Sequence, residues 1–297
     1  MASPLVPQIV GDWQLLYRPE KTGCYVNDHC LFRAQDGRWH LIGITRDEHE
    51  IRPDHERWFT HGAGPRLLSE TGLRELDRVC DFGAPAWAPS VVHDGRRYFM
   101  LYGPAPLKLA TSDELGHWML NPVHLHDSPL DACHRDPMVL RRDDGTWLMY
   151  ATGMHERCGV ISVYASEDLV NWRFLRYALR TTAEAPLNPP CGAAESPFVV
   201  RLGEDYYLFI TYTDSEPENY HNTLVFRSTD PLDFGEYTGT NESEVVVAKL
   251  HTHAPEIVQD EDGTWYITTC GWPGRGVPCE GGVAIAPLEW VEVTPET

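Results

Sequence analysis

The sequence predicts an all-β protein, a five-bladed β-propeller of four-stranded antiparallel blades, with residues 1–297 forming a single domain. Three observations predict it. First, one phrase is written five times: a polar or aromatic residue, a proline (His29 in the first copy), an apolar strand, a tight turn, and a second apolar strand rich in aromatics. Second, the markers His29, Pro89, Pro137, Pro197 and Pro255 recur at intervals of 60, 48, 60 and 58 residues, which suits one blade per copy. Third, a further piece follows three of the copies, at Ala110–Trp118, Tyr164–Trp172 and Phe226–Phe234. Each is a strand end, a polar turn and an aromatic that opens the next strand. A sandwich with coincident turns would not repeat all of these parts.

Residues 1 to about 22 precede the first copy, and the loose alternation of Trp13-Gln-Leu-Leu-Tyr predicts an extra strand at a blade edge. The first copy, Asp28-His29-Cys30-Leu31-Phe32, turns at Asp36-Gly37 and returns through Trp39–Ile44. Asp47 to Asp81 carries no hairpin signal; it is charged, contains His49, His55 and His61, and predicts a short helix over Leu68–Val79. Copies two to five begin at Trp87-Ala88-Pro89, Arg135-Asp136-Pro137, Glu195-Ser196-Pro197 and His253-Ala254-Pro255. Their turns fall at Asp94-Gly95, Asp144-Gly145, Gly203 and Asp262-Gly263. Asp-Gly suits a two-residue hairpin turn, since both residues tolerate positive φ. Proline has no N–H for a ladder, so each is expected at its strand's first residue. Arg180–Gly192, with three prolines, reads as an extended loop delivering Glu195, and Asp214–Asn222 as a polar loop. The tail from Val283 supplies the last strands, closing the ring alone or with the N-terminus.

Hydrophobic residues make up 42% of the chain, ample for a core without a low-complexity segment. Twenty-four basic against 44 acidic residues give a net charge of −20, a field that repels phosphate backbones and anionic membranes. Nucleic acid and membrane are therefore not expected as partners. No run approaches the ~18 apolar residues of a membrane span, and Met1–Val10 has no signal-peptide pattern. The eight cysteines lack CxxC spacing and predict reduced thiols in a cytoplasmic protein.

In a propeller the first strand of each blade lines the central channel, so the strand starts converge at one mouth. Those starts are Asp28, Trp87, Arg135 with Asp136, Glu195 and His253. Glycosidic cleavage needs one carboxylic acid to protonate the leaving oxygen. It also needs an opposed carboxylate, to attack the anomeric carbon or to activate water. Asp28, Asp136 and Glu195 supply such a set. Arg135 and His253 are expected at the rim, with the guanidinium facing sugar hydroxyls or a site carboxylate. His29, His134 and His251 with Asp28 form an alternative metal set, but their spacing follows the repeat and not a metal motif, so no metal is expected.

These motifs resemble the five-bladed propeller glycoside hydrolases of families 32, 43, 62 and 68. Val26-Asn27-Asp28 resembles the W-M-N-D-P-N motif of family 32, whose aspartate is the nucleophile. Arg135-Asp136-Pro137 matches R-D-P, whose aspartate stabilises the transition state. Glu195-Ser196-Pro197 stands where those families place E-C-P, E-G-P or E-A-P, with the glutamate as acid or acid/base. Trp87-Ala88-Pro89 resembles the W-A-P of family 43. His29-Cys30 and Val26 depart from the family 32 pattern, and no C-terminal β-sandwich is expected. The resemblance implies catalytic roles for Asp28, Asp136 and Glu195. It implies sugar contacts from Asn27, Trp87, Arg135 and His253. It further implies a small carbohydrate substrate, no cofactor, and room for a structural calcium or other ion in the channel. Retaining hydrolysis of a β-fructofuranoside-like bond is the first expectation. An inverting α-L-arabinofuranosidase or β-xylosidase is the alternative, and a silent sugar-binding propeller or a biosynthetic enzyme reusing the pocket are further ones.

Overall fold

A computed structural model describes residues 5–20, 24–46, 56–68, 72–129, 133–184, 193–213, 221–272 and 278–292. Two N-terminal strands, β1 (Leu5–Ile9) and β2 (Gln14–Tyr17), come first. Blade one is β3 (Asn27–Arg33), β4 (Trp39–Ile44), β5 (Phe59–Gly64) and β6 (Arg74–Val79). Blade two is β7 (Trp87–His93), β8 (Tyr98–Gly103), β9 (Lys108–Ser112) and β10 (Met119–Asn121). A short β11 (His124–His126) leads to blade three, which is β12 (Arg135–Arg141), β13 (Trp147–His155), β14 (Cys158–Ser166) and β15 (Asn171–Glu184). Blade four is β16 (Ala194–Leu202), β17 (Asp205–Tyr212) and β18 (Asn222–Ser228). It is completed, after β19 (Glu236–Tyr237) and one helical turn α1 (Glu242–Val245), by β20 (Val246–His251). Blade five is β21 (Ile257–Gln259), β22 (Trp265–Cys270) and β23 (Val283–Glu292), and β1 pairs antiparallel with β23 as its outer strand.

The ring thus closes by borrowing the N-terminus, and β2, within the segment expected to form an edge strand, also pairs with β23. The second strands of the blades, such as β4, β8 and β17, are apolar on both faces because both faces are buried. Phe99 and Leu101 of β8 pack with Val139 and Met149 of blade three, while Met100 and Tyr102 pack with Ile42 and Phe59 of blade one. Equivalent clusters fill the other three seams, around Tyr150 and Phe226, around Phe209 and Ile267, and around Leu41 and Ile285.

The repeated turns have their own chemistry. Ser112 and Ser166 accept N–H bonds from Leu115 and Leu169 at 2.9 Å, and the following Trp118 and Trp172 indoles donate back to those leucines' carbonyls. At Asp94-Gly95 the Asp94 N–H bonds Arg97 O around a two-residue turn, Gly95-Arg96, but the other three Asp-Gly turns are longer. Gly37 N–H bonds Ala34 O and Ala34 N–H bonds Arg38 O, with only the glycine at positive φ. That is a type I turn closed by a glycine bulge. The aspartate keeps to negative φ and accepts an N–H two residues on, as Asp36 does from Arg38 and Asp144 from Thr146.

Two expected elements differ. Leu68–Val79 is not a helix: Arg74–Val79 is β6, paired with β5. Its charged residues suit a helix locally, but β5 needs an outer partner and the solvent-facing edge accepts charge. Arg180–Glu184 is strand, not loop, because β15 runs on and pairs with β14 as far as Cys158↔Glu184. The remainder of that expected loop, most of Asp214–Asn222, His49, His55 and Cys191 lie outside the described residues. No described helix is long and apolar enough to cross a membrane.

Candidate active site

The five strand starts share one backbone device. Asp28, Ala88, Asp136, Ser196 and Ala254, each just before the marker residue, have φ of 25°, 43°, 50°, 49° and 43°. At the same point the ladder register breaks in the first four blades, for instance between Arg135 and Met138. Pro89 and Pro137 therefore sit two residues inside their strands and Pro197 three, at a bulge where no ladder N–H is required, while Pro255 precedes β21. Positive φ costs roughly 1–3 kcal/mol at a residue other than glycine. Its recurrence at Ala88 and Ala254 makes it a property of the blade and not of catalysis. Its effect is to turn this side chain towards the axis. Gly43 is needed beside it, since a Cβ there would lie 2.6 Å from Val26 Cγ1 and 3.4 Å from Asp28 O.

Three of the side chains so placed meet at the mouth. Ser196 Oγ donates to Asp28 Oδ1 at 2.5 Å, and Ser196 N–H donates to Asp136 Oδ2 at 3.1 Å. Asn27 Nδ2 donates to the other Asp28 oxygen at 3.0 Å. Thr152 Oγ1 donates to Asp136 Oδ2 at 3.0 Å. Arg135 reaches two carboxylates at once, with Nε 3.4 Å from Asp136 Oδ2 and Nη2 3.1 Å from Glu195 Oε1. Asp136 and Glu195 are each 6% exposed, whereas Asp28 is partly open. Burial pushes the Asp28 carboxyl up, opposed by the Ser196 bond and the Arg135 charge. Burial also raises Asp136, to about 6, with Arg135 opposing and the Asp28 charge adding.

Among the remaining expected site residues, Trp87 is partly exposed and packs on the cluster between blades one and two. His253 is not at the rim. It is 1% exposed, with Nδ1 3.0 Å from Cys270 O and its ring stacked on Trp272 at 6.4 Å. The ring stacked on it, Trp272, is partly exposed. His29 bonds Thr268 Oγ1, His134 bonds the Tyr164 hydroxyl and the His251 ring packs at a tilt against His221. They do not converge, and among the described residues no group of three His, Cys, Asp or Glu side chains is placed to hold a metal. The channel ion allowed by the resemblance has no such donor set among the described residues.

Below the mouth, the inner strands enclose a channel of about 150 Å³. Polar side chains there cap edge N–H groups of the neighbouring blade: Ser90 takes Val139 N–H at 3.2 Å and Glu256 takes Leu31 N–H at 3.3 Å. Glu256 so joins the last blade to the first, and burial pushes its carboxyl well up. The sequence did not reveal Thr152, Trp272 or Glu256 as neighbours of these residues. Only Glu256 has a signal, as the second residue after Ala254 in the repeat register.

The sequence profile of glycosyl hydrolases family 43 matches residues 120–295. Sucrose-6-phosphate hydrolase of Pediococcus pentosaceus is 24% identical over 219 residues, 63% of this chain and 39% of that protein. The Zymomonas mobilis enzyme of the same name is 28% identical over 127 residues, 40% of this chain and 25% of that protein. The chain therefore spans well under half the length of these curated relatives. Among solved structures, the Xanthomonas citri GH43_1 enzyme superposes with a TM-score of 0.63 at 15% identity, covering 95% of this chain and 92% of that one. A GH43 beta-xylosidase/alpha-arabinofuranosidase from a compost metagenome gives 0.63 at 14%, covering 98% and 96%. The Bombyx mori GH32 beta-fructofuranosidase gives 0.61 at 14%, covering 92% and 63%. At these identities the structures establish a shared fold. With the profile matched over more than half its length, the chain belongs to glycosyl hydrolases family 43, a family of glycosidases.

Proposed function

We propose that the chain hydrolyses the glycosidic bond of a small carbohydrate, with furanosides first among the substrates, by an inverting displacement. The observation that carries this is the partition of the three carboxyls. Arg135 binds Asp136 and Glu195 directly, while Asp28 takes its hydrogen bonds from Ser196 and Asn27. Two environments suit two roles. Asp28, made more basic by burial, takes the proton of the attacking water. Glu195 protonates the leaving oxygen. Asp136, close to both through Ser196 and Arg135, supplies negative charge for the oxocarbenium-like transition state. Arg135, Asn27 and the aromatic rings of Trp87 and Trp272 present hydrogen-bonding and apolar surface to the sugar. The scattered cysteines, which form no disulfide among the described residues, support a reducing, cytoplasmic setting.

A second reading is retention, with Asp28 attacking the anomeric carbon of a β-fructofuranoside. The Val26-Asn27-Asp28 motif and the two relatives named sucrose-6-phosphate hydrolase support it, and bring a phosphorylated disaccharide into consideration. The test is a panel of nitrophenyl furanosides and pyranosides, sucrose and its 6-phosphate, with the first-formed anomer followed by NMR and Glu195→Gln as blank. An inverted product supports the first reading and a retained one the second. No turnover anywhere in the panel counts against both.

A further inference from the structure

Gly103 ends β8 at the mouth, and its backbone does not call for glycine. Its φ lies outside the left-handed region, and it pairs in register with Trp87. Its counterparts in three other blades carry side chains: Ile44 opposite Asn27, Thr152 opposite Arg135 and Thr211 opposite Glu195. In blade four that side chain turns to the next blade, where Thr211 Oγ1 accepts the Ala254 N–H at 2.9 Å. In blade two the corresponding space is filled by the next blade itself. A Cβ on Gly103 would lie 3.1 Å from Arg135 Cβ and 3.3 Å from Arg135 Cα. Carbon atoms pack at about 3.5–4.0 Å, so there is no room for it. Arg135 thus abuts Gly103 of blade two and reaches Glu195 of blade four, with Nη2 3.1 Å from Glu195 Oε1 and Nη1 donating to Cys133 O at 3.2 Å.

Resting on the glycosidase reading above, we propose that Gly103 is a positioning residue of the site: its missing side chain sets where Arg135 sits, and so how the guanidinium bridges Asp136 and Glu195. Two features decide which side yields when the gap is filled. β8 is paired on both edges, with β7 and β9, and is buried along its whole length. The carbonyl of Pro104, the next residue, is held by Lys108 Nζ at 3.0 Å. Arg135, by contrast, opens β12, which pairs with β13 alone among the described strands and loses register just after Arg135. A methyl at position 103 therefore displaces Arg135 by a few tenths of an ångström and leaves the wall of blade two in place. The bridge has little slack, since its Nε already stands 3.4 Å from Asp136 Oδ2. A displaced guanidinium lengthens one of its contacts, and Glu195 loses part of the support that aims it at the leaving oxygen.

The test compares wild type with Gly103→Ala, and with Gly116→Ala as control, since a Cβ on Gly116 meets nothing within 4 Å. Arginine Nε–H resonances are recorded by ¹⁵N NMR, with that of Arg135 assigned from its loss in Arg135→Lys. Gly103→Ala should shift the Arg135 resonance while a cooperative thermal melt shows the fold intact. Its kcat/KM should fall on the order of 10-fold on an alkyl glycoside, whose leaving group needs the Glu195 proton, and less on a dinitrophenyl glycoside. Gly116→Ala should change neither reading. An unmoved Arg135 resonance overturns the proposal, and so do equal losses on the two substrates, the pattern of a glycine that serves stability alone. A Gly103→Ala protein that does not fold overturns it too, because the methyl is then resisted by the blade and not taken up by Arg135. If the wild type cleaves no glycoside, the function reading falls, while the Arg135 resonance still decides whether Gly103 sets the place of that side chain.

Discussion

Ser196 Oγ donates to Asp28 Oδ1 at 2.5 Å, a bond that joins the fourth blade to the first across the channel mouth. The same residue's N–H serves Asp136 in the third blade. One serine thus holds two carboxylates that would otherwise repel each other. A hydrogen bond to a charged group is worth about 1.5–3 kcal/mol. Ser196→Ala should therefore reduce kcat by roughly 10- to 100-fold. Because the lost bond favoured the charged form, the Asp28 carboxyl should rise further and the acid limb of kcat/KM should move to higher pH. Stopped assays across the pH range in wild type and variant check both effects.

Asp136 sets a pH window with opposite consequences for activity and stability. Its value is raised from 3.8 to about 6, so the folded state holds the proton more tightly than the unfolded chain does. Its favourable contribution to folding is present below about 4 and is lost as pH rises through about 6. Activity, which uses the carboxylate, should rise over the same interval. Asp136→Asn should therefore have a Tm that improves relative to wild type from pH 4 to pH 7, while losing activity throughout. Paired thermal melts at the two pH values measure the difference.

The closure of the ring makes a separate claim. β1 pairs with β23 over Leu5–Ile9, and the Tyr207 hydroxyl of blade four donates to Leu5 O at 2.9 Å. Removing residues 1–10 deletes an outer strand and exposes apolar surface of blade five. The expected loss is on the order of 3 kcal/mol, read as a lower midpoint in urea. An unchanged midpoint would mean that β23 suffices to close the ring.

Most of the fold was legible because its signals are local and repeated. The Asp-Gly turns, the Ser-to-Trp turns and the doubly apolar strands each recur with the blade, and one copy confirms another. Arg74–Val79 was misread because its residues form a helix as readily as a strand; only the need of β5 for an outer partner decides. The site was legible in part for the same reason. Asp28, Asp136 and Glu195 stand in the repeat register, so topology alone brings them together. His253 shares that register but is buried against Cys270 O and under Trp272, a detail of side-chain packing that the register does not encode. Trp272 comes from a connection between strands, where no period exists to announce it.

The central claim is that Glu195 and Asp28 divide the work of cleaving a glycosidic bond, one as proton donor and the other as proton acceptor. The most direct measurement compares kcat/KM for a glycoside with a dinitrophenyl leaving group and for one with an unactivated alkyl leaving group. Wild type, Glu195→Gln and Asp28→Asn are assayed on both. Wild type should cleave both. Glu195→Gln should lose about 10²- to 10⁴-fold on the alkyl glycoside, the usual worth of a general acid, and far less on the dinitrophenyl glycoside, whose leaving group needs no proton. Asp28→Asn should lose activity on both alike. Equal losses for Glu195→Gln on the two substrates, or activity that survives in Asp28→Asn, would contradict the account.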